Sequence, residues 1–210
     1  MEKTFTPAYR IHTHRLILRC WEPVDAPLLT AAVDANRDHL RPWMPWAAGE
    51  PDPIKTVIQR LRINRAKFDL DENYVYAIFN PAETQVLGGT GLHPRVGANG
   101  IEIGYWIDAD HLGLGLATEV TAALTKIVFE IHELDRVEIH CEPENAPSAA
   151  VPRKLGYHHE ATLRRRSQFS EDDLRDSMIW TLFASDYPNS RAAQAKITAF
   201  DATGTKILTY

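Results

Sequence analysis

Between Ile101 and Ile131 the chain changes its period. Ile101, Ile103, Tyr105 and Ile107 alternate with Glu102, Gly104 and Trp106, the two-residue repeat of a strand with two distinct faces. Leu112, Gly113, Leu114, Gly115, Leu116, Ala117 and Thr118 then form a turn of glycines and small residues. It runs into apolar positions at Leu116, Val120, Ala123, Leu124, Ile127 and Ile131, the spacing of an amphipathic helix. A strand, a glycine turn and a helix start converge backbone N–H groups and the positive end of a helix dipole on one point. Such a unit confines the fold to the α/β classes and suits a phosphorylated cofactor.

The glycine turn alone does not say which cofactor. The P-loop pattern fails, because no Gly-Lys-Ser/Thr follows and no lysine reaches a terminal phosphate. The dinucleotide fingerprint obtains two glycines from Gly113 and Gly115, but its third falls on Thr118 and the strand ahead carries Glu102 and Trp106. Asp135 lies at about the ~20-residue offset that fingerprint needs, yet it precedes the next apparent strand instead of ending it. On this segment alone, a turn that merely packs a helix on a sheet stays open.

The next segment is more specific. Arg136–Cys141 reads as a short strand, followed by Glu142-Pro143-Glu144-Asn145-Ala146-Pro147-Ser148 and a helical run ending Arg153-Lys154-Leu155-Gly156-Tyr157. Asn-x-x-Ser, a short helix and Lys-Leu-Gly-Tyr resemble the second signature of the GNAT superfamily of acetyl-CoA-dependent N-acetyltransferases. The glycine turn resembles that family's pyrophosphate loop through Gly115 and Ala117, with Leu112 departing at its first position. The resemblance implies a mixed, centrally split sheet flanked by helices, with acetyl-CoA as cofactor. Pyrophosphate contacts would come from Leu112, Gly113, Leu114, Gly115, Leu116, Ala117 and Thr118. Backbone donors near Trp106 and Ile107 would meet the acetyl carbonyl, and Asn145 and Ser148 would meet the pantetheine arm and the thiol.

In the N-terminal half, His14–Arg19, Asp25-Ala26 and His39-Leu40-Arg41-Pro42-Trp43-Met44-Pro45-Trp46 resemble the RimJ/RimL group. That group is named for acetylation of ribosomal-protein N-termini, and the resemblance runs from about Arg15 to Trp180. It implies a peptide or protein α-amine as acceptor. A small-molecule amine (polyamine, aminoglycoside or amino acid) stays open, because the branch includes such enzymes. So does a catalytically silent acyl-CoA-binding sensor.

Bulk properties exclude several other classes. A chain of 210 residues with 44% hydrophobic content can bury a substantial core. Its net charge of −5 is interspersed, so no basic face marks a nucleic-acid partner. Arg164-Arg165-Arg166 is the one basic run; it reads as a solvated strand end or a contact for a phosphate or acidic substrate. No apolar stretch approaches the ~20 residues of a membrane span. Met1–Phe5 lacks a signal-peptide core, and two cysteines suit a reducing compartment. A cytoplasmic protein is expected. Neither His12 with His14 nor His158 with His159 finds a third ligand at usable spacing, so no metal is expected.

Strands are expected at 15–21, 74–79, 86–93, 101–108, 136–141, 157–165 and 174–183, with helices at 24–36, 53–70, 115–132 and 146–155 and a short one before Trp43. Residues 1–184 make the acetyltransferase domain. Residues 185–195 read as a linker, and 197–200 with 206–210 as a hairpin. An isolated hairpin is marginal in water, so it docks on the domain or on a second subunit of a homodimer; the sequence leaves both open.

Acetyl transfer to an amine needs donors for the developing negative charge on the thioester carbonyl, a neutral amine, and a proton for the leaving thiolate. By resemblance the amine attacks directly, which leaves Cys141 as a packed strand thiol. Glu102, on the strand face opposite Ile101 and Ile103, is the first choice for general base through a water. The helix tyrosine that many GNAT enzymes use as acid aligns with Pro152, so Ser148 takes the place beside the sulfur; it reads equally as a helix cap. Asn145 reads as a pantetheine contact or a turn residue, and Tyr157 as core. Trp43 and Trp46, with Glu102, would wall the acceptor site.

Overall fold

A computed structural model describes residues 6–210; Met1–Phe5, read above for a leader, lie outside the described residues. The chain forms one ten-stranded sheet in the order β10-β9-β1-β2-β3-β4-β5-β6-β8-β7. Its elements are β1 (Arg10–His12), β2 (Ile17–Cys20), α1 (Ala26–Ala35), α2 (Arg37–Leu40), α3 (Ile54–Asp69), β3 (Tyr74–Phe79), β4 (Val86–His93), β5 (Gly100–Ile107), α4 (Leu116–Ile127), β6 (Arg136–Cys141), α5 (Ala146–Leu155), β7 (His158–Gln168), β8 (Leu174–Phe183), β9 (Thr198–Phe200) and β10 (Lys206–Thr209).

Two apolar layers sandwich the sheet. On one face Ile101, Ile103 and Ile107 of β5 meet Leu116, Val120, Ala123, Leu124 and Ile127 of α4 and Leu155 of α5. On the other, Leu29 of α1 and Val57 and Leu61 of α3 pack on Ile17, Ala77 and Phe79, with Trp106 against them. The alternation along β5 therefore divides its side chains between the two layers. Burying each large aliphatic side chain contributes roughly 1.5–3 kcal/mol. Past Ile127, α4 widens into a π-type turn over Val128–His132 and stops at Glu133, which adopts a left-handed φ of 51°.

Among the described residues β5 and β6 are the only parallel neighbours, and their register covers Gly100↔Arg136, Ile101↔Val137 and Glu102↔Glu138 alone. Beyond it the strands part, while β5 stays laddered to β4 as far as Gly88↔Ile107. This is the central split expected from the resemblance.

The segments 197–200 and 206–210 join the chain's own sheet: β9 pairs antiparallel with β1, and β10 with β9. The segment before it holds two short 3-10 turns instead of a free linker. Buried Lys126 of α4 donates to the carbonyls of Ala193 and Ala195, both at 3.0 Å. Tyr187 donates to Glu130 at 2.5 Å. Among the described residues, no helix is long and apolar enough to cross a membrane.

Candidate active site

α4 and α5 each begin just past the C-terminal end of one of the two parallel strands. At α4, Gly113 and Gly115 take φ values of 73° and 79°, a region that penalises residues with a Cβ. Gly115 is the N-cap, and no side chain caps the helix. The N–H groups of the first turn (Leu116, Ala117, Thr118) precede the first intrahelical bond, Glu119 N–H to the Gly115 carbonyl, and are left for an external acceptor. A Cβ on Gly113 would meet open space, and the nearest atom to one on Gly115 is an Arg15 nitrogen. Arg15 donates to the Leu114 carbonyl at 2.9 Å and pairs with Glu119. Free amides, exposed approach and a neighbouring guanidinium fit a pyrophosphate. Leu112 and Leu114 are exposed, so they offer backbone and not packing; Leu116 is core and Ala117 packs on it.

The gap between the strands opens into a cleft of about 850 Å³ lined by Glu102, Ile103, Gly104, Tyr105, Ile139, His140, Cys141, Asn145 and Ser148, with Trp43, Met44 and Arg166 at its walls. The glycine loop is not among these walls; it lies past the end of β5. Asp108 donates across the β4 ladder to the Leu87 carbonyl. The two-residue period then turns the backbone of Trp106 and Gly104 toward β4, and that of Ile107, Tyr105 and Ile103 toward the gap. Of the two donors expected on β5, Ile107 faces the gap and Trp106 does not. The Trp106 indole packs on the α1 and α3 layer, 6.3 Å from Trp46. Trp46 likewise leaves the acceptor wall: it is half-exposed and sits on the α1 and α3 side of the sheet. Only Trp43 of that pair reaches the cleft, and Arg175 fixes its segment by bridging Glu142 and the Pro42 carbonyl.

Asn145 is the N-cap of α5, its side-chain oxygen accepting from Ser148 N–H at 3.1 Å. The cap is therefore Asn145, and the Ser148 hydroxyl is left to face Tyr105. Pro152 has no N–H, so the Ser148 carbonyl four residues earlier loses its helical partner. The partly buried Tyr105 hydroxyl takes that place at 3.1 Å and lies 3.3 Å from the Ser148 hydroxyl. Burial pushes the Tyr105 phenol up, so it stays protonated and donates. The spacing of Tyr105, Ser148 and Pro152 does not predict this pairing; the helical N–H that Pro152 lacks is its one signal in the sequence. Burial likewise raises the Cys141 thiol, which suits a packed residue. Tyr157 is buried and bonded to Thr125 at 2.6 Å, a core position.

Glu102 and Glu138 are register partners on adjacent strands, two carboxylates side by side whose repulsion must be offset. Arg95 clamps Glu102 with two bonds of 2.7 and 2.6 Å. Arg136 donates to Glu138 at 2.8 Å. The His140 ring stands between the two acids, Nε2 at 2.8 Å from Glu138 and Nδ1 at 3.6 Å from Glu102. Burial pushes the Glu102 carboxyl up, but Arg95, with help from His140 and His93, outweighs it and holds the group below the ordinary glutamate value. Glu102 is thus an ionised carboxylate at the base of the cleft.

Residues 15–158 match the acetyltransferase (GNAT) domain family. YjcK of Bacillus subtilis, named a probable N-acetyltransferase, is 26% identical over 152 residues, 71% of this chain and 84% of that protein. The ribosomal protein uS5-alanine N-acetyltransferase of Escherichia coli is 23% identical over 188 residues, 88% of this chain and 96% of that protein. Among solved structures, RimJ of Mycobacterium smegmatis in complex with CoA-disulfide superposes with a TM-score of 0.77 at 24% identity, covering 92% of this chain and 93% of that one. With the split sheet, the glycine-started helix and a family match across most of its length, this chain belongs to the GNAT family and is an acetyl-CoA-dependent N-acetyltransferase.

Proposed function

We propose that the acceptor is the α-amine at the N-terminus of a peptide or protein. The observation that carries this reading is an ionised carboxylate, Glu102, at the base of a cleft of about 850 Å³ walled by Trp43, Met44 and Arg166. A chain end can enter such a cleft with one ammonium meeting one carboxylate and its following residues lying along the walls. A relative named a ribosomal protein uS5-alanine N-acetyltransferase supports a protein acceptor.

When bound, acetyl-CoA supplies the activated acetyl thioester. The first-turn amides of α4 hold its pyrophosphate through charge-assisted hydrogen bonds, with Arg15 beside them. The parted strands β5 and β6, with Asn145 at the rim, hold the pantetheine arm. Backbone N–H groups facing the gap, on Ile107 and Tyr105, meet developing negative charge. Glu102 draws the acceptor ammonium in and orients it. Ser148 presents its hydroxyl, fixed by Tyr105, to the leaving sulfur.

An α-amine has a pKa near 8, so a sizeable fraction is already neutral at pH 7 and a modest base suffices. Free-CoA release from acetyl-CoA, read with a thiol reagent across N-terminal peptides, polyamines and aminoglycosides, tests the assignment. Peptide-dependent release is the expected result. Release with polyamines or aminoglycosides and not with peptides would move the acceptor to small amines.

A further inference from the structure

We propose that His140, oriented by Glu138, is the general base that removes the acceptor's ammonium proton, with Glu102 and Arg95 forming the charge pair that positions the ammonium beside it. The inference rests on the acetyl-transfer reading above and deepens it.

The geometry defines a dyad. Glu138 accepts at 2.8 Å from Nε2 of the His140 ring, and a carboxylate there favours the tautomer protonated at Nε2. The lone pair of the neutral ring then lies on Nδ1. That nitrogen points at Glu102 from 3.6 Å, too far for a hydrogen bond and near enough for an ammonium at Glu102 to touch both. Arg136 holds Glu138 from its other side at 2.8 Å, so the orienting carboxylate is itself fixed.

Glu102 is the weaker candidate for carrying the proton. Its two oxygens are both engaged by Arg95, and the guanidinium favours the ionised form. His93, on β4 opposite Glu102 in the register, is the other imidazole nearby. Burial pushes it down to about 4, aided by Arg95, and its Nδ1 is held by Asn73 at 2.8 Å.

The charged and titratable groups around His140 are Glu138 and Arg136 on its own strand, Glu102 on β5, and Arg95 and His93 from the β4 side. Glu142 and Arg166 share the cleft walls, and Ile179, its partner on β8, is apolar. In the proposed step the ammonium N–H bond breaks and its electron pair stays on nitrogen as the nucleophilic lone pair. The proton goes to Nδ1, and the resulting imidazolium lies between two carboxylates before it returns the proton to solvent.

Two measurements test the assignment. The first is the pH dependence of kcat/KM for wild type and His140→Gln with a peptide acceptor. Loss of a general base costs about 10²-fold or more. The deficit should be largest below the acceptor's pKa and shrink toward tenfold or less well above it, where solvent has already deprotonated the amine. A deficit equal at all pH values, or below about threefold throughout, overturns the proposal. Absence of acceptor-dependent release by wild type would instead sink the acetyl-transfer reading itself.

The second is the nitrogen-15 spectrum of the His140 ring in the protein without cofactor, in wild type and Glu138→Gln. The Nε2–H tautomer is expected in wild type, with that preference lost in the variant. An Nδ1–H ring in wild type overturns the dyad without reference to activity.

Discussion

α4 and α5 start at the ends of neighbouring parallel strands, yet their first turns are finished in opposite ways. α4 begins on a left-handed glycine with no side-chain cap, so its amides stay available to a ligand. α5 begins on Asn145, whose side chain closes the turn internally, and its one missing helical bond, at Pro152, is replaced by Tyr105. One helix start is left without a side-chain cap. The other is completed twice over so that a single hydroxyl, that of Ser148, keeps its place. The same backbone feature, the unpaired helix terminus, is thus left open in one element and closed in the other, and the proposed function assigns binding to the first and positioning to the second.

The contrast can be broken most severely at Tyr105. Tyr105→Phe leaves the Ser148 carbonyl unsatisfied and should cost about 1–3 kcal/mol of stability, read by urea unfolding. In a Pro152→Ala background the helix regains its own N–H, and the same change should cost under about 0.5 kcal/mol. An equal loss in both backgrounds would mean that Tyr105 acts by packing alone.

A smaller effect is expected at α4. Gly115→Val imposes roughly 1–2 kcal/mol of backbone strain at φ 79°. It should weaken acetyl-CoA binding about tenfold by calorimetry, with the circular dichroism spectrum retained. Unchanged affinity would remove the glycine start from the cofactor site.

The mildest change is Asn145→Ala, which removes an ordinary cap worth about 1 kcal/mol. It should lower the melting temperature by a few degrees and kcat more than acetyl-CoA affinity, because Ser148 loosens while α4 is untouched. A loss confined to affinity would instead give Asn145 the pantetheine contact as its main role.

Much of this was legible in the residues. Tyr74–Phe79, Val86–His93, Arg136–Cys141 and the helix 146–155 fall where period and turn chemistry put them, because each is long enough to show a pattern. β1, three residues long, carries no readable period and was missed. So was its pairing with β9, since edge partners depend on distant segments. Glu102, Asn145, Ser148 and Trp43 do share one cleft, whereas Trp46 and Trp106 meet each other on the α1 and α3 side; parity puts Trp106 on the face of Glu102, so only its place farther along β5 separates the two. The Arg95 clamp and the His140 ring were not legible. They follow from the register of β5 against β6 and from a loop conformation, neither of which alternation in a single strand encodes. The alternation Arg136, Glu138, His140 was the available clue, and it gains meaning only once Glu102 is known to lie alongside.

The measurement closest to the central claim compares Glu102→Gln with wild type in one preparation, acetyl-CoA affinity by calorimetry and peptide-dependent CoA release by thiol reagent. Arg95, the partner that Glu102 would lose, is itself largely exposed, so the variant should fold. Affinity should stay within about twofold while turnover falls by about 10². Turnover equal to wild type would contradict the claim that this carboxylate receives the acceptor, and a matching loss of acetyl-CoA affinity would place Glu102 in the cofactor site instead.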